Sequence, residues 1–288
     1  SPHSSPYTLT SSLSYLEVIA QIKARTEYAA LNQMRRNIWN MLGTAFANPM
    51  TEAKAVHFSH TIGALARITT AKNVLETAAG SGYASQRYAS LLSENGHFTA
   101  TDFAENYGKL WAALPENPKI TFQVADALAL PYRDGEFDRY ICSSGVTHMA
   151  RPDLAINEAY RVLSSGGIFV GSIPLTCSYE EISFYPLRHS RLMPEDPTDL
   201  ISKIDDPRFL VTLCEEAGFE HIQVFEDFYT FDTSKAEMIS YLESLLAFLL
   251  SKSDPAVVDA WRSKVEEVID YYLGERKEMI SYKTLGVR

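Results

Sequence analysis

The stretch "NVLETAAGSGYAS", residues 73–85, determines how the rest of the chain is interpreted. A short aliphatic strand reaches an acid at Glu76, and small residues, two glycines and a helix follow. A glycine-rich turn after a strand lets backbone amides and a helix N-terminus approach a ligand. Position 78, where such loops often carry a further glycine, is alanine. Taken alone, the stretch leaves two interpretations open: a nucleotide-type binding loop and a tight structural turn.

Strand and helix patterns alternate from this stretch as far as Pro174. The further predicted strands of this region are "HFTATD", "KITFQVAD", "EFDRYICSS" and "GGIFVGSIP". Two more are predicted later, in "IQVFEDFYTF" and "EMISYKTLGVR". Alternation of this kind is typical of βαβ units, which build a parallel sheet with helices on both faces. We therefore predict an α/β fold with a Rossmann-like, doubly wound, mostly parallel sheet of seven strands.

The first seventy residues contain no predicted strand. A helical pattern runs from Tyr15 to about Ala47 and again over about 52–69, so residues 1–70 are predicted to form a helical cap on a Rossmann-like domain at 71–288. Polar, aromatic and proline-rich residues at about 175–205 predict one insertion. A helical pair predicts another at about 233–275, with Asp254 and Pro255 beginning its second helix. We expect both insertions to cover the substrate.

Composition and charge narrow the classes of partner. The net charge is −10, which predicts no attraction to nucleic acid or anionic lipid. No apolar run approaches the roughly 20 residues of a membrane span. Cys142, Cys177 and Cys214 are few and widely spaced, which favours a reducing, cytoplasmic compartment over a disulfide framework. Both a monomer and a homodimer remain open.

Acidic residues end the next two predicted strands. Asp102 closes the second strand, where an acid can accept hydrogen bonds from both hydroxyls of a ribose. Asp126 closes the third strand, a placement suited to an adenine amino group, and the Ala127 amide lies beside it. These positions favour a binding loop over a structural turn at residues 76–82.

Four motifs together resemble the class I S-adenosylmethionine-dependent methyltransferases: "LETAAGSG", "ATDFAENY", "VADALALPYRDGEFD" and "EAYRVLSSGGIFVGSIP". The "RVLxxGG" pattern is similar to the small-molecule branch, which includes quinone-biosynthesis C-methyltransferases and methyltransferases of secondary metabolism. The resemblance covers about residues 73–174. A dinucleotide site would share the glycine turn, but its G-x-G-x-x-G pattern is absent, and nicotinamide binding requires no acid after the third strand.

The resemblance implies S-adenosyl-L-methionine as the cofactor, S-adenosyl-L-homocysteine as its product, and a set of binding residues. Glu76, Ala78 and Gly80 would line the methionine end, with Gly82 completing the loop. Asp102 would hold the ribose and Phe103 would lie near adenine, whose edge Asp126 and Ala127 would contact. Ser143 would close over the methionine portion. Alanine at position 78 is expected to cost little if its φ angle is negative.

The acceptor side is predicted from histidine and aromatic residues. His148 lies where many members of the resembled family face the acceptor, and it is interpreted either as a general base or as a hydrogen-bonded residue of the rim. His57 and His60 share a helix face, but without nearby acids they do not predict a metal site. The predicted substrate-binding residues are Tyr28, Trp39, His148, Tyr179, Tyr185 and Arg188.

The predicted function is transfer of a methyl group to a small, fairly apolar metabolite through oxygen, sulfur, nitrogen or carbon. Two alternatives stay open. One is a cofactor-binding protein of the same fold that transfers no methyl group or catalyses another reaction, such as a cyclisation. The other is an RNA or protein methyltransferase, which the acidic charge and the absence of a basic stripe disfavour for RNA.

Overall fold

A computed structural model describes residues 5–8, 13–175, 177–193, 196, 199, 204 and 206–274 of the 288-residue chain, together with the backbone of residues 278–287. The α-helices of these residues are α1 (Tyr15–Lys23), α2 (Ala29–Leu42), α3 (Pro49–Leu65), α4 (Tyr83–Leu91), α5 (Tyr107–Ala112), α6 (Pro152–Val162), α7 (Ser178–His189), α8 (Arg208–Ala217), α9 (Lys235–Leu245), α10 (Ala247–Lys252) and α11 (Pro255–Leu273). The strands are β1 (Asn73–Glu76), β2 (His97–Asp102), β3 (Ile120–Val124), β4 (Phe137–Ser143), β5 (Leu163–Leu175), β6 (Gln223–Asp232) and β7 (Glu278–Val287).

The sheet has five strands that pair in parallel, in the order β3-β2-β1-β4-β5. Beyond β5 the order continues with β7 and β6. The predicted α/β Rossmann-like class is confirmed, but the parallel part has five strands and not seven. Strands β6 and β7 come after the regular βαβ alternation, which covers only the first five strands.

The pairing register brings the ends of the parallel strands to one edge. Glu76 is opposite Ala100 of β2 and Ile141 of β4, while Asp102 is opposite Val124 of β3. Strand order changes direction at the β1–β4 pair, since β2 and β3 continue on one side and β5 on the other. Ligands of open α/β sheets bind beyond the carboxyl ends of strands at such a switch point.

The helical pattern predicted from Tyr15 to about Ala47 is divided into two α-helices and a final 3-10 turn at Gly43–Phe46. Helix α1 ends at Lys23 because the i→i−4 pattern stops after the Ala24 amide: the Arg25 amide donates to Ile22, three residues back, and residues 24–28 separate α1 from α2. Residue periodicity did not reveal this break because both helices are amphipathic. The predicted helix at about 52–69 begins earlier, at Pro49, with Asn48 accepting a hydrogen bond from the Thr51 amide.

The chain forms two compact units. The first, called the core unit, contains Leu13–Ile173, Asp206–Asp227 and Lys283–Arg288; the second, called the helical unit, contains Ser1–Ser12, Pro174–Asp205 and Phe228–Tyr282. Helices α1–α3 belong to the core unit, so no division between the units falls at residue 70.

In the helical unit, α11 packs against α7 and α9 around buried residues that include Trp261, Val265 and Met238. Asp254 accepts a hydrogen bond from the Ala256 amide at the start of α11, as the sequence predicts. Residues 176, 194–195, 197–198, 200–203 and 205 of the first predicted insertion lie outside the described residues. The substrate-covering role of both insertions stays a prediction.

Two further predictions from the sequence concern disulfide bonds and membrane-spanning helices. Cys142, Cys177 and Cys214 are buried and free, so the predicted absence of a disulfide framework holds for these three residues. In the part of the chain that the structure describes, no helix combines the length and the apolar composition that a membrane crossing requires.

Replacement of Gly82 by alanine is expected to destabilise the core unit by roughly 2–4 kcal/mol. Gly82 has a φ angle of 84°, and a methyl group there would lie 2.6 Å from Cζ2 of Trp111. The Trp111 indole has little freedom to move, because it donates a hydrogen bond to the Gly80 carbonyl at 2.9 Å. The measurement is the denaturant midpoint of the purified variant.

The matched control is Gly108→Ala in α5. A methyl group at Gly108 would meet Phe122 at 3.8 Å, an ordinary contact, and helix propensity favours alanine. The control is expected to be neutral or slightly stabilising. Equal midpoints for the two variants would contradict the role assigned to Gly82.

Candidate active site

A cavity of about 270 Å³ lies at the carboxyl ends of β1, β2 and β4 in the core unit. It is the position that the strand order predicts for a ligand. Most of the residues predicted from the sequence line it: Trp39, Glu76, Ala78, Gly80, Asp102, Phe103, Asp126, Ala127, Ser143 and His148. Their binding roles stay predictions, but the structure brings these residues together around one space.

Glu76 is the most deeply buried acid of this cavity, with 3% of its surface exposed. It is the last residue of β1, and the Ser85 hydroxyl on α4 donates a short hydrogen bond to its carboxyl group. Burial raises the pKa of Glu76 to about 8, the Ser85 hydrogen bond opposes this rise, and nearby Asp102 adds to it. At neutral pH the ligand-free carboxyl group is therefore largely protonated.

Asp102 connects β2 with the glycine loop. Its two carboxyl oxygens accept hydrogen bonds from the amides of Gly80 and Ala104, both at 3.0 Å. Burial raises the pKa of Asp102 to about 6, although the backbone amides of Ala104, Gly80 and Phe103 favour the charged form. Each oxygen accepts one of these backbone bonds and keeps a lone pair, so the carboxyl group can still receive ribose hydroxyls.

The expectation of a negative φ angle at Ala78 is wrong: the angle is +54°. Left-handed backbone costs a residue with a Cβ roughly 1–2 kcal/mol. Ser144, in the loop after β4, is also left-handed, at +60°. A methyl group on neighbouring Gly145 would lie 2.4 Å from Cβ of Ala78, so position 145 needs glycine while position 78 carries alanine. The two loops that follow β1 and β4 are therefore packed directly against each other.

Asp126 has partners on α2 that the sequence did not predict. Its Oδ2 accepts a hydrogen bond from the Asn32 amide at 2.6 Å, and its Oδ1 accepts one from the Leu128 amide at 2.9 Å. Arg36, one turn further along α2, lies 3.8 Å from the same carboxyl group and 5.7 Å from the centre of the Phe103 ring. Helix α2 thus orients both predicted adenine contacts.

His148 lies at the end of a 3-10 turn, Val146–His148, beyond β4. The Trp39 indole of α2 meets the imidazole edge-on with ring centres 4.8 Å apart, and Phe46 packs beside Trp39 at 5.6 Å. Leu128 and Met149 line the same cavity. This part of the cavity combines one titratable imidazole with an apolar surround.

The remaining predicted residues lie elsewhere among the described residues. Gly82 is the N-cap residue of α4 and lies next to the Trp111 ring. Tyr28 packs against the cluster that contains Leu128 and Ala150, and the Arg151 guanidinium lies over its ring. Tyr179, Tyr185 and Arg188 belong to the helical unit, where their partners are Tyr241, His189 and Asp199, respectively. Gly82 and Tyr28 make local packing contacts, and the binding roles predicted for all five residues stay predictions.

His57 and His60 show no metal-binding arrangement. His57 lies 3.6 Å from Asp227, and His60 is 3.1 Å from a guanidinium nitrogen of Arg87. Among the described residues, no group of three or more histidine, cysteine or acidic side chains is arranged to hold a metal ion.

Sequence reasoning missed the wall that α3 and α4 contribute. Its residues are Thr51, Lys54, Ala55, Phe58, Tyr83, Ala84 and Tyr88. The α3 members are spaced by three and four residues, a signal for one shared helix face. That signal does not show whether the face meets a ligand or a packed core.

The residues present fit the cofactor that the resemblance implies. Two buried acids lie at the ends of β1 and β2, and Tyr88, which also lines the cavity, has a fully buried hydroxyl without a hydrogen-bond partner among the described residues. A buried hydroxyl without a partner costs about 1–3 kcal/mol, and a polar ligand can offset this cost. The pocket is therefore suited to a ligand with cationic and polar groups.

Comparison with known proteins agrees with this geometry. Residues 75–171 match the family model described as a methyltransferase domain. A Roseobacter denitrificans protein named ubiquinone/menaquinone biosynthesis C-methyltransferase UbiE is 35% identical over 168 residues, which cover 52% of this chain and 67% of that protein. A Ruegeria protein of the same name is 36% identical over 100 residues, which cover 33% of this chain and 40% of the relative. The chain thus spans less than half of that second relative.

A solved structure supports the fold over a longer range. The [4+2]-cyclase SpnF has a TM-score of 0.57 and 19% sequence identity, covering 90% of this chain and 94% of its own. Fold and site together define an α/β enzyme that binds a nucleoside-containing cofactor. The chain belongs to the class I S-adenosylmethionine-dependent methyltransferases of the small-molecule type, and its cofactor is S-adenosyl-L-methionine.

Glu76 predicts a pH dependence of stability in the ligand-free protein. Its pKa in the folded state, about 8, lies above the ordinary value of 4.5, so the folded state binds the proton more tightly than the unfolded state. The contribution of Glu76 to the free energy of unfolding is therefore fully present below about pH 4.5 and falls by roughly 1.4 kcal/mol per pH unit as the pH rises between these two values. In Glu76→Gln this loss is expected to disappear, which thermal unfolding from about pH 5 to pH 8 would measure.

Glu158→Gln is the control of opposite sign. Hydrogen bonds from Arg161 lower the pKa of Glu158, so its contribution is present at neutral pH and is lost as the pH falls through the lowered value. Parallel stability curves for the wild type and Glu76→Gln would contradict the assignment.

Proposed function

We propose that this enzyme transfers the methyl group of S-adenosyl-L-methionine to a small, fairly apolar metabolite. The observation that carries the proposal is the composition of one continuous cavity. Buried acids line its proposed cofactor part, Trp39 contacts His148 edge-on, and the apolar residues Phe46, Leu128 and Met149 line the same cavity. Mostly apolar pockets with a few directed polar groups are typical of small-molecule sites.

In the proposed complex, each cofactor portion meets residues of suitable chemistry. Glu76 binds the ammonium group, Asp102 receives the ribose hydroxyls, and Gly80 with Ala78 lines the methionine chain. Phe103 packs near adenine, while Asp126 and the Ala127 amide contact its edge. Ser143 closes the methionine side at the end of β4.

When bound, S-adenosyl-L-methionine would supply a methyl group activated by its sulfonium, with S-adenosyl-L-homocysteine as the leaving group. The protein contributes position, because holding the acceptor close to the methyl group can supply roughly 7–11 kcal/mol of the barrier. Trp39 and Phe46 exclude water from the reacting groups. His148 takes the proton of a hydroxyl or an acidic carbon, a role typically worth about 100- to 10,000-fold in rate.

The relatives guide the choice of acceptor. They are named quinone-biosynthesis C-methyltransferases, which supports testing quinone-type aromatic precursors first. A net charge of −10 supports a small-molecule acceptor and not a nucleic acid.

A cyclisation without methyl transfer is the second candidate, because a cyclase shares the fold over most of its length. Incubation with labelled cofactor and a metabolite extract tests both, since label transfer supports the first and its absence with intact cofactor binding supports the second.

Replacement of Asp102 by alanine is expected to weaken S-adenosylhomocysteine binding about a hundredfold or more, through the loss of charge-assisted hydrogen bonds to the ribose. Calorimetry measures the change. Asp134→Ala, which removes an acid with an 84% exposed side chain, is the charge-matched control and is expected to bind normally. If Asp102 receives the ribose, removing a ribose hydroxyl from the ligand weakens the wild type but not the variant. An equal loss in both proteins would contradict that role.

Replacement of His148 by glutamine is expected to lower methyl transfer to a hydroxyl or carbon acceptor by about 100-fold or more, with cofactor affinity retained. A thiol acceptor, which ionises without a base, is expected to lose little. The measurement is single-turnover label transfer as a function of pH. Loss of cofactor affinity in the variant would show that His148 serves binding and not proton transfer.

A further inference from the structure

The charged side chains that line the cavity are mostly acidic. Glu76, Asp102 and Asp126 are acidic, and Lys54 is the one lysine or arginine among the lining residues that the structure describes. The cofactor carries positive charge on its sulfonium and ammonium groups and a single negative charge on its α-carboxylate. One cation in the wall therefore matches one anion in the ligand.

Helix α3 places Lys54 at the cavity. Thr51, Lys54, Ala55 and Phe58 line it at spacings of three, four and seven residues, so one helix face is turned toward the ligand space. This face reaches the cavity from a position well within the helix, because α3 begins at Pro49.

Helix α3 lies beside α4, the helix that follows the glycine loop. Helix α3 packs against α4, and a methyl group on Gly63 of α3 would lie 3.7 Å from the Tyr88 ring. Helix α4 carries Ser85, which donates to the carboxyl group of Glu76. Lys54 and Glu76 both line the cavity, and α4 contacts the elements that carry them: α3 by packing and the end of β1 through Ser85.

The ligand chemistry requires two opposite charges in this region. The ammonium and carboxylate groups of an amino acid share one carbon atom, so an ammonium bound at Glu76 brings the carboxylate within a few ångströms of a buried acid. Without a cation, that approach is repulsive. Lysine offers a compact charge on a flexible stem, which can reach from a helix face to the carboxylate.

We propose that Lys54 binds the α-carboxylate at the amino-acid end of the cofactor. The assignment rests on the proposed function, since it takes the site at Glu76 as the methionine end. It gives the cavity a pair of opposite charges, Glu76 and Lys54, that recognises the zwitterion and separates the whole cofactor from nucleosides without an amino acid.

The test uses calorimetry with three ligands: S-adenosylhomocysteine, its decarboxylated analogue and 5′-methylthioadenosine. Lys54→Met is expected to weaken S-adenosylhomocysteine binding about tenfold to a hundredfold, the range of a charge-assisted hydrogen bond. Binding of the other two ligands, which have no carboxylate, is expected to change less than about twofold. Lys54→Arg is expected to restore part of the loss.

Two further variants show whether the effect of Lys54→Met is specific to the carboxylate of the ligand. Glu76→Gln is expected to weaken binding of both ligands that carry the ammonium group and to leave 5′-methylthioadenosine unchanged. Lys109→Met removes an exposed lysine of α5 and controls for the change in net charge. Thermal unfolding of each variant shows whether it is folded.

Three results would overturn the assignment in different ways. Equal weakening of all three ligands by Lys54→Met would indicate a structural role. Unchanged affinity for S-adenosylhomocysteine with a raised KM for the acceptor would place Lys54 on the acceptor side. Failure of the wild type to bind any of the three ligands would overturn the proposed function itself.

Discussion

Two carboxyl groups buried at the ends of adjacent parallel strands are the constraint on which the site depends. Glu76 and Asp102 are 3% and 5% exposed, and burial raises the pKa of each. Their partners are a serine hydroxyl and backbone amides, with no lysine or arginine bonded to either group among the described contacts. Burying acids without a cation costs free energy, and a cationic ligand offsets that cost. The ligand-free site is therefore prepared for positive charge.

The glycine loop is shaped by this constraint and by its neighbours. The Gly80 amide donates to Asp102, and the Gly80 carbonyl accepts from the Trp111 indole, so both backbone polar groups of this residue are tied to β2 and α5. Ala78 adopts a left-handed backbone conformation, which is unfavourable for alanine, and Gly145 leaves space for its methyl group. Strain of this kind persists only where surrounding contacts over-determine the backbone. The loop is consequently a fixed surface and not a flexible one.

The N-terminal helices complete the site from the opposite side. On α2, Asn32 donates a hydrogen bond to Asp126, and Trp39 contacts the His148 ring. Helix α3 contributes Lys54 and Phe58 to the cavity wall. The sheet edge alone would provide a cofactor surface open to water. Because these helices belong to the same compact unit as β1–β4, the residues proposed for cofactor binding and for the acceptor side lie in one folded body.

The sequence by itself determined the α/β class and the strand-end acids, because alternation and hydrophobic runs are local properties of the chain, but it did not show that only five of the predicted seven strands pair in parallel. It placed Glu76, Asp102 and Asp126 correctly at the carboxyl edge, since parallel strands bring their ends together. It did not reveal the left-handed angle of Ala78 or the Asn32, Lys54 and Tyr88 side chains at the cavity. Only the tertiary structure decided these features, because they depend on how α2, α3 and α4 pack against the sheet, and no local pattern distinguishes a helix face turned toward a ligand from one turned toward the core.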